Sequence, residues 1–340
     1  MSSKKLFVFV LASVMTLLPL SGTAMAAAKE KPVTFKMCLT ANAGSQGRPG
    51  YHLMHDFVNK LNELSSGRIK GAILPAGTMG SEREITEAIQ LGMLDVANVS
   101  DVGIDSVLGK IGFAWLPFMI TTYEAADKYY NSGWIHDEIV KLMRESGIVK
   151  IGNSETGFKV IGNTKRAINT FDDFKGLKIR TAEAADIVAY LQLVGILPVA
   201  ISATETLTAL EQGTVDGAET TLVNLKIQGV LDSMKYVTKT YHQYTGGSII
   251  ASERFWKSLT DADKEIFYQA ARFAGDNHIK MTREQEKAAE KEAVANGIAV
   301  SGIDEDISRE MKKAALQLWD TYKKIYDPKY MDKIIQEFGI

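Results

Sequence analysis

The order of apolar and polar positions between residues 174 and 221 predicts a complete α/β unit. Residues 177–180 (Leu-Lys-Ile-Arg) alternate apolar and polar side chains, which predicts a short strand with one apolar face. An apolar helix follows over about residues 184–194, and a second helix begins at Ser202, where a Ser-x-x-Glu pattern predicts a capping box. The chain returns to a strand at Val215. Strand, helix, helix and strand in this order are typical of an α/β lobe.

A similar unit occurs in the first half of the chain. Six residues recur at a constant offset of 121 positions: Ser81, Glu84, Ala88, Gly92, Asp95 and Ala97 correspond to Ser202, Glu205, Ala209, Gly213, Asp216 and Ala218. Shared helix-capping preferences are the alternative explanation. The pattern favours two similarly built α/β lobes, and a cleft between two lobes is where small molecules bind.

Two basic residues are candidates for binding an anion in that cleft. Arg180 ends the first predicted strand, and ligands of open α/β sheets lie beyond the carboxyl ends of the strands. Its guanidinium offers a planar fork of donors that matches a carboxylate. A strand from Ile148 to Ile151 leads to Lys159, which we place near a strand end, facing the same cleft. The alternatives are the polar side of a half-buried strand for Arg180 and a solvated lysine for Lys159.

The last third of the chain predicts one unusually long helix. From Asp261 to Asn296 there is no proline, and Gly275 is the only glycine. Such a helix would be about 54 Å long at 1.5 Å per residue, more than the width of one lobe. A break near Gly275 is the alternative; without a break the helix would support both lobes.

The first 26 residues predict a signal peptide rather than a part of the fold. Lys4 and Lys5 precede an apolar run, and Ala24-Met25-Ala26 fits a cleavage site, so we expect a periplasmic protein cleaved near Ala26. A membrane anchor is the alternative, but the apolar run is short and interrupted. A single cysteine excludes an internal disulfide.

Charge and motifs exclude several classes of function. Removing Lys4 and Lys5 takes the formal charge from −2 to −4, so we expect no nucleic-acid partner. The chain has no His-Glu-x-x-His, Gly-x-Ser-x-Gly or Cys-x-x-Cys motif, and we expect no metal, no cofactor and no enzymatic activity. His52 and His55 would bind a metal only if a carboxylate joined them.

Four stretches of the chain are similar to one family of transport proteins. They are residues 65–100, the Leu116-Pro117-Phe118 triplet, residues 156–180, which end in Gly-Leu-Lys-Ile-Arg, and the Ala-Leu-Glu-Gln-Gly-Thr-Val-Asp-Gly-Ala-Glu-Thr run of residues 209–220. In order and spacing they resemble the substrate-binding proteins of tripartite ATP-independent periplasmic (TRAP) transporters. The resemblance covers essentially the whole mature chain, and the long helix is a further hallmark of that family.

The resemblance implies roles for particular residues. The carboxylate-binding arginine of the family falls on Arg180, and a second arginine of many members is replaced by Lys159. An asparagine after the Asp-Gly-x-Glu motif is replaced by Thr220. The sialic acid branch has an aromatic residue near Ala203 and an acid at Ser100. These differences argue against a sialic acid receptor.

Further candidate contacts lie in the first lobe. They are the loop around Asn42, Glu82, and Ser100 with the adjacent Asp101. For Glu82 the alternative is structural, because a carboxylate in the first turn of a helix is favourable. We expect Asp216 and Glu219 to hold loops.

The implied fold is an α/β, two-lobed periplasmic binding protein of the Venus-flytrap type, with a long helix spanning both lobes. We expect lobe I to comprise residues 29–156 and about 246–275, and lobe II residues 157–245 and about 286–340, with helix 261–296 bridging both.

The implied function is to bind an organic acid in the cleft and deliver it to TRAP membrane subunits. We expect a monomer. The alternatives are a binding protein of an ATP-driven or sensor system, and a periplasmic enzyme.

Overall fold

The computed structural model describes residues 31–38, 48–75 and 77–338. The strands of these residues are β1 (Val33–Cys38), β2 (Ile69–Leu74), β3 (Val96–Ser100), β4 (Ile148–Asn163), β5 (Lys178–Thr181), β6 (Leu197–Ala200), β7 (Gly217–Thr221), β8 (Tyr236–Lys239), β9 (Tyr244–Ser252) and β10 (Ala299–Gly302). The predicted signal peptide and Asn42 lie outside the described residues.

Helices connect and flank these strands. They are α1 (Pro49–Leu64), α2 (Glu82–Gln90), α3 (Asp101–Leu108), α4 (Tyr123–Tyr129), α5 (Trp134–Glu145), α6 (Ala185–Leu193), α7 (Thr206–Glu211), α8 (Leu222–Ile227), α9 (Glu253–Ser258), α10 (Asp261–Ala295), α11 (Glu305–Ile325) and α12 (Pro328–Phe338). Within the described residues, no helix contains a stretch that is long and apolar enough to cross a bilayer.

The strands form one continuous sheet around β4 and β9. Strands β2, β1 and β3 are parallel, and β9 lies antiparallel between β3 and β4. Beyond β9, β4 continues as the antiparallel partner of β7, which begins a second parallel group of β7, β5 and β6. Strand β4 also pairs with β8, and β8 pairs with β10. The sheet therefore contains two three-stranded parallel groups joined through β4 and β9, and a parallel pair formed by β8 and β10.

Strand β4 differs from the sequence prediction. A short strand from Ile148 to Ile151 was expected, but β4 runs on to Asn163 as one strand of 16 residues. Two register shifts in its pairing with β9, at Lys150/Gly152 and Glu155/Gly157, keep the pairing going past Gly157. Lys159 consequently lies inside a strand rather than near a strand end, and that placement was wrong.

The two predicted repeat units have the same local structure. Ser81 and Glu84 form a complete capping box at α2, and Ser202 and Glu205 form one at the 3₁₀ turn that precedes α7. Each helix is followed by a glycine with positive φ and then by a parallel strand, β3 in the first unit and β7 in the second. The prediction of two similar α/β units is confirmed.

Helix α10 is unbroken and packs in two hydrophobic cores. Its first half places Phe267 and Ala274 in a core with α1, β1 and β9, and its second half places Ala289 and Ala293 in another core with β7, β8 and α8. The helix does not break at Gly275. Glycine at this position instead allows the helix to pack closely against β4. A Cβ at this position would clash with the carbonyl oxygen of Asn153 on β4.

Candidate ligand-binding site

A cavity of about 180 Å³ lies where the two parallel strand groups approach each other. One side is formed by the first turns of α2 and α3, and the other by β5, β7 and α8. Strand β4 and helix α10 contribute residues between them. The predicted site residues that border the cavity are Glu82, Ser100, Lys159, Arg180, Ala203 and Thr220.

Arg180 is buried, with 5% of its surface exposed, and it borders the cavity. Its position follows from β5, whose apolar Ile179 packs in the core and whose carboxyl end reaches the cavity. The Nε atom donates a hydrogen bond to the Ile201 carbonyl oxygen at 3.0 Å, which fixes the plane of the guanidinium. Among the described residues, no carboxylate lies within salt-bridge distance of Arg180. Burial lowers the pKa of Arg180, and nearby carboxylates, Glu219 first, act in the opposite direction.

Lys159 and Glu219 form a buried ion pair. Lys159 is 4% exposed and Glu219 is 0% exposed, and the Lys159 Nζ atom lies 3.4 Å from Glu219 Oε1. Thr181 donates a hydrogen bond to Glu219 Oε2 at 2.9 Å, and His242 Nε2 lies 3.5 Å from Oε1. Burial alone would raise the pKa of Glu219, but Lys159 and His242 lower it to about 2. Glu219 is therefore the partner of a buried lysine. Its contact with His242 reaches the loop between β8 and β9, and the expectation that it holds a loop stays a prediction.

Glu82 joins the start of α2 to the start of α3. Its carboxylate accepts hydrogen bonds from the Ser100 hydroxyl and from the Ser100 backbone N–H, the latter at 3.1 Å. The Ser100 hydroxyl oxygen in turn accepts the Gly103 N–H as the cap of α3. Glu82 thus has a structural role, as the alternative interpretation held, and it also borders the cavity.

Asp101 lies behind the cavity rather than beside it. It is 0% exposed and accepts a hydrogen bond from the Ser248 hydroxyl. Lys150 and Tyr130 are its buried neighbours, since the Asp101 charge acts on the pKa of each. Of the candidates in the described residues, Asp101 is the one that does not border the cavity.

Several polar residues that border the cavity were not predicted from the sequence. Asn98 on β3 and Ser154 on β4 are joined by a 2.7 Å hydrogen bond from Ser154 Oγ to Asn98 Oδ1. Asn224, His278 and Thr282 come from α8 and α10. A polar residue inside an otherwise apolar strand, such as Asn98 in Val-Ala-Asn-Val-Ser, is the local signal that would have found one of them.

Glu155 is a buried carboxylate at the edge of the cavity, and the guanidinium of Arg283 on α10 balances its charge. Arg283 donates from Nε to both Glu155 oxygens at 3.1 Å and from Nη2 to Oε2 at 2.7 Å. Arg283 also binds Asp127, and the Tyr244 hydroxyl donates to Glu155 at 2.9 Å. This network ties the middle of β4 to α4 and α10.

No group of three or more histidine, cysteine or acidic side chains suited to a metal ion occurs in the part of the chain that the structure describes. His52 and His55 lie on α1, where the His55 ring packs against Tyr51 with the ring centres 4.1 Å apart. Buried His278 accepts the Glu155 N–H at Nδ1, and burial lowers its pKa to about 4. His278 is therefore neutral at pH 7.

Comparison with characterised proteins identifies relatives along most of the chain. The sialic acid-binding periplasmic protein SiaP of Vibrio cholerae is 27% identical over 301 residues, which cover 87% of this chain and 91% of the relative. The C4-dicarboxylate-binding protein DctB of Bacillus subtilis is 26% identical over 281 residues, which cover 83% of this chain and 79% of the relative.

A solved structure has the same fold. A TRAP periplasmic solute-binding protein from Polaromonas sp. JS666, bound to D-erythronate, superposes with a TM-score of 0.82 at 27% identity, over 89% of this chain and 98% of that one. The two-lobed α/β fold that the sequence indicated is thereby confirmed. Residues 40–325 match the DctP family, bacterial extracellular solute-binding protein, family 7. The chain belongs to this family, the solute receptors of TRAP transporters.

Proposed function

We propose that this protein binds an organic acid in the cavity, with Arg180 as the main anchor of the carboxylate, and delivers the acid to TRAP membrane subunits. The observation that carries this proposal is a buried guanidinium at the cavity that has no carboxylate partner among the residues the structure describes. A buried cation without an internal partner costs free energy, and a ligand carboxylate would offset that cost. The terminal nitrogens of Arg180 would bind both carboxylate oxygens.

The ligands of the relatives support an acid. One relative is named as a sialic acid-binding protein, another as a C4-dicarboxylate-binding protein, and the Polaromonas protein holds D-erythronate. All three ligands are organic acids, although they differ in size and charge. The shared requirement is a carboxylate, which matches the role that we propose for Arg180.

Glu82 and Ser100 would supply contacts from the side of the cavity opposite Arg180, with Ala203 and Thr220 beside the arginine. Asn42 stays a predicted contact. A ligand held from both sides favours the closed form, because closure is stabilised only by contacts made on both sides. The lobe boundaries at residues 29–156 with 246–275, and 157–245 with 286–340, are part of this proposal, as is a monomeric receptor.

The family consists of solute receptors, and we propose that this chain likewise binds its ligand without converting it. An enzyme using the same cavity is the competing function. It would need a group that transfers protons near the ligand, but burial lowers the pKa of His278 to about 4, which makes it a weak base, and Glu155 is held by Arg283. Recovery of the bound acid unchanged after prolonged incubation supports a receptor, whereas turnover would identify an enzyme.

The test of the anchor is the substitution Arg180→Gln. Removing one member of a buried charged pair costs about 2–5 kcal/mol of binding, and each 1.4 kcal/mol is tenfold, so we expect affinity to fall at least about 30-fold. The measurements are native mass spectrometry, to identify a retained acid, and the ligand-induced shift in melting temperature.

The matched control is Arg272→Gln, which removes the same charge from the exposed side of α10. We expect the control to keep the full ligand-induced shift. If Arg180→Gln responds to acids as the unmodified protein does, Arg180 is not the anchor.

We also propose export by a signal peptide cleaved near Ala26, giving a periplasmic protein. The family is extracellular by its description, which supports secretion. The test is the intact mass of the protein recovered from the periplasm, and a mass that includes residues 1–26 would contradict the proposal.

A further inference from the structure

We propose that the cavity selects acids with a single carboxylate and several hydroxyl groups, and that Glu82 rejects a second carboxylate. This inference rests on the proposed function, because it concerns the charge of the acid that Arg180 binds. Characterised relatives include a C4-dicarboxylate-binding protein and a protein that holds the monocarboxylate D-erythronate. Family membership therefore leaves the charge of the ligand open.

Within the part of the chain that the structure describes, only one positive charge at the cavity has no carboxylate partner. The basic side chains of the described residues that border it are Arg83, Lys159, Arg180 and His278. Arg83 pairs with Glu87 at 3.1 Å and donates to the Ser106 carbonyl oxygen at 2.6 Å. His278 is neutral near pH 7. This leaves Lys159 and Arg180 as candidates to bind a carboxylate.

The register of the sheet places Lys159 and Arg180 on opposite faces. Arg180 lies opposite Ala218 on β7, and Lys159 lies opposite Thr221. Residues 218 and 221 are separated by an odd number of positions, so their side chains point to different faces of β7. The Lys159 face also carries Glu219, the residue that pairs with the lysine. Both residues border the cavity, but the Lys159 ammonium is already paired with Glu219. Arg180 is therefore the cation at the cavity, among the described residues, that has no carboxylate partner.

The far side of the cavity is already negative. Glu82 borders it, and no basic side chain of the described residues lies within salt-bridge distance of its carboxylate. Glu82 and Arg180 border the same cavity of about 180 Å³, so a ligand that fills it contacts both side chains. A ligand that places one carboxylate on Arg180 and another at its opposite end would bring like charges together.

The remaining polar groups suit hydroxyls. Neutral donors and acceptors from both sides border the cavity: Asn98, Ser100, Ser154, Thr156, Thr220, Asn224 and Thr282. A carboxylate such as Glu82 accepts hydrogen bonds from hydroxyl groups. The arrangement therefore fits a hydroxylated tail that donates to Glu82 while the single carboxylate binds Arg180.

The test uses pairs of acids that differ only at the terminal carbon. D-Erythronate and meso-tartrate share their two hydroxylated centres, and galactonate and galactarate share four. In each pair the first acid ends in CH₂OH and the second in a carboxylate. Binding is measured by calorimetry at pH 7.5, where each carboxylate is ionised. We expect the monocarboxylate of a bound pair to bind at least tenfold more tightly.

The variant Glu82→Gln removes the charge and keeps hydrogen-bonding groups for Ser100. We expect it to reduce the preference for the monocarboxylate about tenfold. Glu145→Gln removes the same charge from an exposed position at the end of α5 and is expected to leave the preference unchanged. The acid retained by the purified protein, identified by mass spectrometry, gives an independent count of carboxylates.

The outcomes separate this inference from the proposed function. Equal or tighter binding of the dicarboxylate, a retained dicarboxylic acid, or an unchanged preference in Glu82→Gln would overturn the inference while leaving an acid receptor in place. Absence of binding by every acid tested, with no retained acid, would overturn both. A monocarboxylate preference that depends on Glu82 supports the inference.

Discussion

Lys159 and Glu219 occupy positions in β4 and β7 where neither side chain contacts much water. The pair is close, at 3.4 Å, and the Thr181 hydroxyl satisfies the second oxygen of Glu219. A buried ion pair adds little net stability compared with apolar residues, but losing one partner leaves an uncompensated buried charge. The two residues should therefore tolerate joint removal of their charges better than single removal.

The substitution Lys159→Met tests the ion pair. We expect the unliganded protein to lose about 3–5 kcal/mol of unfolding free energy, because Glu219 would remain buried without its lysine. Adding Glu219→Gln should restore a large part of the loss, and a double-mutant cycle by urea unfolding measures the coupling.

Lys165→Met is the control for this cycle. Lys165 is exposed and lies 3.3 Å from Asp216, so we expect a loss of no more than about 1 kcal/mol. Equal losses at the two lysines would contradict a special role for the buried pair.

Single residues were predictable from the sequence where the signal was local. Arg180 could be placed at the cavity because it lies at the carboxyl end of a short alternating strand. The predicted position of Lys159 was wrong because Gly157, a residue that favours turns, lies here inside β4, which continues to Asn163. Its partner Glu219 comes from β7, and the register between two strands distant in sequence has no local signature.

At the scale of elements, the repeated α/β unit explains two acidic residues. Asp95 accepts the Lys36 N–H at 2.8 Å, and Asp216 accepts the Lys178 N–H at 2.9 Å. In each unit the acid precedes a parallel strand and binds the backbone of the neighbouring strand. The constant offset of 121 residues thus reflects a common way of joining strands. Because the Asp216 carboxylate binds the backbone of a strand here, its role in holding a loop stays a prediction.

Helix α10 was predicted closely because its signals are strong. Thr260 and Asp263 form a capping box at its start, and the helix ends at Ala295, one residue before the predicted end. Strand β6 was missed, since Gly195 and Pro198 indicate a turn or a stop in a local pattern. Proline is nevertheless compatible with β6, which lies at the edge of the sheet.

Gly275 allows the close contact of α10 with β4. We expect Gly275→Ala to lower the unfolding free energy by about 1–3 kcal/mol, because the new methyl group would meet the Asn153 carbonyl oxygen. Helix propensity alone predicts the opposite, a gain of about 1 kcal/mol. The sign of the measured change in unfolding free energy therefore distinguishes the two effects.

Gly302→Ala is the comparison for this change. No atom lies within 4 Å of the position where its Cβ would be, so we expect little change or a small gain. Chemical denaturation of both variants gives the answer, and a stabilised Gly275→Ala protein would contradict the close packing.

At the scale of the whole molecule, two buried carboxylates lie where α3, α6 and α11 meet. Trp115 donates to Asp186 Oδ2 at 3.2 Å, and the Tyr322 hydroxyl donates to the Asp186 carbonyl oxygen at 3.2 Å. Asp105 accepts the N–H groups of Lys110 and Ile111. Burial, reinforced by the negative charge of Asp105, raises the pKa of Asp186 to about 7.

This raised pKa predicts a dependence of stability on pH. Between about pH 4 and pH 7 the folded protein keeps a proton on Asp186 that the unfolded chain has released. The unfolding free energy contributed by this group therefore falls as pH rises, by on the order of 3–4 kcal/mol. Asp186→Asn removes this contribution.

Urea unfolding of both proteins at several pH values isolates the effect. His278 has the opposite slope, since its pKa is lowered to about 4 and its contribution to stability rises with pH up to about 6.5. Subtracting the unfolding free energy of Asp186→Asn from that of the unmodified protein removes the contribution of His278, which both proteins share. We expect that difference to change steadily over pH 4–7, and parallel curves would contradict a protonated Asp186.

Helix α10 contributes apolar side chains to one core before residue 275 and to another after residue 288. Neither hydrophobic centre is assembled from one uninterrupted length of polypeptide. A chain cut in two at the middle of the sequence would yield two fragments, and each would lack core residues that the other supplies. Such fragments should regain structure only when mixed, so the molecule is built to fold as one cooperative body.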